Sequence, residues 1–164
     1  MPITILDVAN ALLFIFPAYC ANAAPVIFGG GFPIDGGRTF LDGKPIFGSH
    51  KTFRGFFSGL VVGTLVSFVQ GALFQYNVLL GFALSIGALV GDLLGSFFKR
   101  RLDLPPGSTL PIVDQLGFTL GALLFSFPFS PPTLPIVLIV LIITPPIHFL
   151  TNFLGYRLGV KKRL

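Results

Sequence analysis

Long apolar runs alternate along this chain with short polar clusters, and the runs set its architecture. Five of them are long enough to be read as membrane-crossing helices: residues 3–24, 53–74, 78–98, 112–129 and 133–154. The fourth is the shortest, about 27 Å of helix at 1.5 Å per residue. The first is interrupted by Asp7, Asn10 and Pro17, and the fifth carries Pro135, Pro145 and Pro146. The pattern predicts an all-α membrane protein, a bundle of five transmembrane helices forming a single domain over residues 1–164. A long Gly-rich connection joins spans one and two.

Composition agrees with that reading. Charged residues are 10% of the 164-residue chain and hydrophobic ones 53%, where soluble domains carry about 25% charged residues. Mean hydropathy is +0.88. The net charge of +5 does not mark a nucleic-acid-binding protein, because no basic domain stands apart from the spans. The cations fall in clusters instead. Arg38, Lys44, Lys51 and Arg54 lie in or beside the first connection, Lys99–Arg101 after span three, and Arg157, Lys161, Lys162 and Arg163 in the tail. The connections 75–77 and 130–132 have none. The positive-inside rule then predicts an N-terminus outside, a C-terminus in the cytoplasm and a cytoplasmic Gly-rich loop. No cation precedes Arg38, which excludes the basic start of a signal peptide. The lone Cys20 excludes an internal disulfide.

Small residues recur at helical spacing: Gly55, Gly59 and Gly63; Gly87, Gly91 and Gly95; Gly117 and Gly121. Such stripes let helix backbones approach closely. They serve either packing within one bundle or a homodimer face.

Candidate chemistry concentrates near the basic clusters. A carboxylate inside an apolar span, as at Asp92, costs roughly 2.5–3.5 kcal/mol to insert and so points to function. On a helix Asp92 lies about 40° from Ser96 and about 20° from Lys99. An acid, a hydroxyl and an ammonium therefore share one face, which suits a metal ion and polyphosphate. Asp114 starts span four and converges with Asp92 if spans three and four form a hairpin. Two carboxylates, phosphate oxygens and water make a reasonable Mg²⁺ site. The structural alternative pairs Asp92 with Lys99 or a neighbour and leaves Asp114 favouring a helix N-terminus. The segment 29–55 holds eight glycines, four cations and two carboxylates, so its backbone N–H groups can cradle anions. It is either a phosphate-binding loop or an ordinary solvated one. It is not a P-loop: five residues separate Gly37 from Gly43, and Pro45 stands where Ser or Thr is needed. His148 and Asn152 share a face of span five, and Asn22 sits near the inner end of span one; all three read first as interhelical hydrogen-bonding groups. His50 in the loop is ambiguous.

Taken in order, Asn22–Pro25, Pro33–Gly37, Asp42–Lys44, Gly48–Gly55, Gly91–Asp92 through Ser96–Arg100, Pro111–Gln115 and His148 with Asn152 resemble the CDP-archaeol synthase family along nearly the whole chain. That family is the archaeal relative of the CDP-diacylglycerol synthases. The larger bacterial-type enzymes continue with further basic and His-Gly-Gly elements that are missing here, and Gly117 stands at their second acid position. The resemblance implies a CTP-dependent cytidylyltransferase that acts on an archaeal ether-lipid phosphate in phospholipid biosynthesis. It implies Asp92, Asp114, Lys99 and Arg100 as catalytic residues. Asn22, Gly37, Lys44, Lys51, Thr52, Arg54 and Ser96 would bind nucleotide or phosphate, and Mg²⁺ would sit on Asp92 and Asp114. Two readings from other classes remain beside it: a small transporter or channel, which would need ionisable groups at mid-depth in several spans, and a lipid-binding structural protein.

Overall fold

The computed structural model describes residues 3–108, 110–157 and 159; the tail cations Lys161, Lys162 and Arg163 lie outside the described residues. Five helices follow one another: α1 (Ile5–Phe28), α2 (Phe53–Phe74), α3 (Val78–Arg101), α4 (Pro111–Ser126) and α5 (Leu134–Arg157). Four of them are long and apolar enough to cross a membrane. The exception, α4, has 16 residues, about 24 Å against a hydrocarbon core of about 30 Å.

The helix starts follow local chemistry. Thr4 and Asp7 form a reciprocal capping box at α1. The Thr52 side chain accepts the Gly55 N–H at α2, and Asn77 accepts from Leu79 and Leu80 at α3. Proline opens α4, where its missing N–H costs no hydrogen bond. Four ends differ from the hydropathy pattern, among them that of α5, which reaches Arg157 rather than residue 154. Helix α1 runs on through Pro25, whose carbonyl accepts the Gly29 N–H. Helix α3 continues to Arg101 because Lys and Arg are good helix formers and favour the negative C-terminal end. Helix α4 stops at Ser126, and residues 127–129 form a turn.

The glycines set the packing. A Cβ on Gly59 would meet the Ala21 carbonyl and the Leu89 side chain; one on Gly63 would meet Ser85, and one on Gly81 would meet Ser67. A Cβ on Gly87 would strike the Gly121 carbonyl, and one on Gly91 the Gly117 carbonyl. A Cβ on Gly55 would meet Pro25, so in each helix pair one number rises as the other falls, and α1 and α2, α2 and α3, and α3 and α4 are antiparallel. The glycine stripes are thus engaged inside the bundle. Among the described residues α5 packs on α1 and α4 alone.

The apolar core lies toward the end of the bundle away from the Gly-rich loop, built from Phe14, Ile15, Leu84, Phe118, Ala122 and Val140 among others. Outward, Leu65, Phe68, Leu73, Ile142 and Phe149 are exposed, the surface expected of helices bathed in hydrocarbon. At the loop end the interior changes character. Ser96, Lys99 and Arg100 are buried there, and buried charge of this kind needs an electrostatic reason.

Candidate active site

The Gly-rich connection is a folded cap over that end. Its strands of irregular chain are tied by Ile34 N–H to Lys51 O (2.8 Å), Phe40 N–H to Lys44 O (2.8 Å) and Phe53 N–H to Phe32 O (3.1 Å). Asp35 holds it from inside. Only 7% exposed, its carboxylate accepts the N–H groups of Gly48 (2.8 Å), Phe47 (2.9 Å) and Gly37 (3.0 Å). Burial works against its charge, but the N–H groups of Gly48, Phe47 and Gly37 outweigh it and hold the carboxyl below its ordinary value. Gly37 and Gly48 have positive φ, 74° and 95°, a region that glycine enters without strain. Both glycines therefore serve the turns around Asp35.

A second tie joins the cap to the end of α3. Lys44 Nζ lies 2.7 Å from Asp103 and 3.0 Å from the Arg101 carbonyl. Arg101 donates to the carbonyls of Lys44 and Pro45, and its Nε lies 3.0 Å from Asp42, an ion-pair contact off the hydrogen-bonding line. The guanidinium stands over the Phe97 and Phe40 rings, 4.6 and 5.1 Å from their centroids. Lys44, expected as a phosphate cation, is engaged in this clamp. Sequence reasoning passed over Asp35 and Arg101. The Asp35-Gly-Gly run was a signal for an Asp-anchored turn; nothing local marks the partners of Arg101.

Beneath the cap stand two lysine–carboxylate pairs. Lys51 Nζ is 2.6 Å from Asp92, and Lys99 Nζ is 2.5 Å from Asp114. The sequence alternative of an Asp92–Lys99 pair does not form, because seven residues of helix separate the two by about 10.5 Å of rise. Lys99 also donates to the Ser108 carbonyl, and Asp114 accepts the Leu110 N–H. The Lys99–Asp114 pair is the more enclosed, with side-chain exposures of 9% and 17%, against 26% and 23% for Lys51 and Asp92. Pro25, His50, Lys51, Thr52, Gly55 and Asp92 line one small cleft.

Arg100 is buried, and its Nε and Nη1 have no acceptor among the described residues. Gly48 and Pro106 pack beside it. Gly107 lies against the His50 ring, so the cap also meets the α3–α4 connection. Thr52 and Ser96 are buried at the same end. Arg54 is exposed on the first turn of α2. Asn22 is half-buried one turn before Pro25 on α1.

Among the described residues no three His, Cys, Asp or Glu side chains gather. The carboxylates at this end, Asp92 and Asp114, each stand against a lysine, and their donor atoms are hard oxygens. That fits Mg²⁺, which keeps its waters and binds through one or two carboxylates plus substrate phosphates, and does not fit an all-protein metal cage.

The family model described as "CarS-like: CDP-archaeol synthase" matches residues 3–163. A CDP-archaeol synthase of Methanococcus aeolicus is 46% identical, with 94% of each chain covered. One of Pyrococcus furiosus is 48% identical, covering 94% of this chain and 96% of its own. One of Thermococcus gammatolerans is 50% identical over 92% of each. A solved structure, reported as "Structural insight into an intramembrane enzyme for archaeal membrane lipids biosynthesis", superposes with a TM-score of 0.83 at 32% identity, covering 89% of this chain and 94% of that one. With the family model matching almost end to end and relatives alike over more than nine-tenths of their length, this chain belongs to the CDP-archaeol synthase family of membrane enzymes.

Proposed function

We propose that the protein transfers CMP from CTP to an archaeal ether-lipid phosphate, 2,3-bis-O-geranylgeranyl-glycerol 1-phosphate, giving the CDP-lipid and pyrophosphate. The observation that carries this reading is the buried Arg100, two of whose donor atoms have no acceptor among the described residues, beside the Lys99–Asp114 pair. A buried guanidinium is built to bind oxyanions bidentately. The lipid phosphate oxygen attacks the α-phosphorus of CTP, and the bond to the pyrophosphate oxygen breaks. Both reactants are anions, so positioning and charge neutralisation dominate. Lys51, Lys99 and Arg100 neutralise the phosphates, while the Asp35 turn and the Lys44–Arg101 clamp hold the cap in place. Asp92 and Asp114 would hold Mg²⁺, which when bound would supply positive charge to offset that of the phosphates. The lipid phosphate is already ionised at neutral pH, so the site needs no general base. Family membership does not favour the transporter and structural readings.

The test is pyrophosphate release by purified protein supplied with CTP, ether-lipid phosphate and Mg²⁺. Lys51→Ala is expected to lower kcat/KM by about a hundredfold or more, the effect of removing one donor to developing charge, with the bundle still folded. Wild-type kinetics in that variant would return the loop to a solvated connection.

The same reading places the active site on the cytoplasmic face, with five spans and an outside N-terminus; the clustered cations support it. Leu41, 95% exposed at the cap, offers a check. A Leu41→Cys variant in a Cys20→Ala background should react with an impermeant maleimide from the cytoplasmic side. Labelling from the outside alone would overturn the orientation.

A further inference from the structure

Helix α5 carries a polar stripe on its protein-facing side that the nucleotide chemistry leaves unused. Thr144, His148 and Asn152 follow at i, i+4 and i+8 and so share one face. The Thr144 hydroxyl lies 2.7 Å from the Tyr19 hydroxyl of α1. Asn152 Nδ2 lies 3.1 Å from His148 Nδ1. Phe118 of α4 stands between two of these groups, its ring 6.0 Å from Tyr19, edge to face, and 6.1 Å from His148. Three helices thus build one polar and aromatic cluster inside the bundle.

The stripe points toward the catalytic end. Helices α4 and α5 run in opposite directions, since each begins at the end where its predecessor stops. One turn from the Phe118–His148 contact toward the loop end brings α4 to Asp114 and α5 to Asn152. Asn152 therefore stands at the depth of the Lys99–Asp114 pair. On the neighbouring face of α5, Ile142 and Phe149 are more than half exposed to the surroundings of the bundle. A lipid along α5 would keep its chains against those residues while its polar end met His148 and Asn152.

We propose that His148 and Asn152 form the subsite for the glycerol–phosphate end of the acceptor lipid, entered sideways along α5, with the Tyr19–Thr144 hydrogen bond holding α5 against α1 beneath it. The proposal rests on the cytidylyl-transfer reading above. Ether oxygens and phosphate oxygens are acceptors only, so a subsite for them needs donors. An Asn amide and an imidazole N–H supply them, while the Tyr19 O–H donates to Thr144, whose own hydroxyl donates to the Val140 carbonyl. Polar groups at this depth are costly in hydrocarbon, and a headgroup that shares them gives them a use beyond joining helices. The nucleotide would then enter beneath the cap, beside Lys51 and Asp92, and the acceptor from the α5 side, beside Lys99 and Asp114.

The test measures both substrates in His148→Ala and Asn152→Ala, using an ether-linked dialkylglycerol phosphate in nanodiscs. The expected result is a rise of about tenfold or more in KM for the lipid phosphate, with KM for CTP within twofold, as loss of hydrogen bonds to one substrate alone predicts. Lipid phosphate should no longer raise the unfolding temperature of either variant, while CTP with Mg²⁺ should still do so. His148→Gln and Asn152→Ser, which keep a donor, should recover part of the lipid affinity and stand in if an alanine variant fails to fold. Equal changes in both KM values, or a lower unfolding temperature with an unchanged lipid KM, would make the stripe a helix joint and overturn the subsite. A wild-type protein that does not turn over CTP with any lipid phosphate would overturn the functional reading itself.

Discussion

Asp92→Asn and Asp114→Asn are each expected to lower turnover by a factor of about a thousand or more while leaving folded protein. Asn preserves shape and removes the charge that a divalent cation and its bound phosphates need. The two differ in stability. The Lys51–Asp92 pair is about a quarter exposed on each side, so losing it costs about 1 kcal/mol or less. Asp114 is more enclosed and serves both Lys99 and the Leu110 N–H. Removing its charge strands a buried ammonium, at a cost approaching the roughly 3–5 kcal/mol of a broken buried pair. Adding Lys99→Met to Asp114→Asn should therefore restore much of the unfolding temperature and none of the turnover. Turnover, thermal unfolding and protection by CTP with Mg²⁺, measured in the same preparations, separate the two roles. Normal turnover in Asp92→Asn would reject its catalytic assignment.

The second large effect belongs to a residue that touches no proposed substrate. Asp35→Asn should loosen the whole cap and remove most activity. Three backbone N–H groups converge on its carboxylate, and hydrogen bonds to a charged acceptor contribute about 1.5–3 kcal/mol each. An amide cannot accept all three as strongly and adds two donors of its own. Hydrogen exchange at Gly37, Phe47 and Gly48 should rise, with helix protection unchanged. The pH dependence has a definite sign. The folded pKa of Asp35 lies below its ordinary 3.8, so its contribution is complete above that value. It is lost as the pH falls through the lowered folded value. Protease cleavage in the cap should therefore increase in acid below about pH 4 in wild type, and be high and nearly flat with pH in Asp35→Asn. A cap equally protected in both proteins would remove Asp35 from this role.

How far the sequence could be read depends on whether the physics is local. The bounds of α2 agree because Thr52 caps its start and the run of apolar residues ends at Phe74. The end of α3 was read too early, since hydropathy falls at Lys99 although lysine and arginine continue a helix well. Asp92 stood out at once because a carboxylate in an apolar run is rare and costly. Its partner did not, because Lys51 is 41 residues away and only the folded cap brings it over α3. Lys44 shows the converse. A cation in a Gly-rich loop reads as an anion ligand, yet its position is decided by Asp103 and the Arg101 carbonyl, 57 residues further on in the case of Arg101. Arg100 was legible as a cation near the membrane surface, but not as a buried one, because burial depends on how Gly48 and Pro106 close over it.

The central claim is transfer of the cytidylyl group, and the position of a label tests it most directly. Purified protein given ether-lipid phosphate, Mg²⁺ and CTP labelled at the α-phosphorus should produce labelled lipid. CTP labelled at the γ-phosphorus should leave the lipid unlabelled and place all released label in pyrophosphate. Label passing from the γ-position to the lipid, or no label in the lipid from either position, would contradict the account.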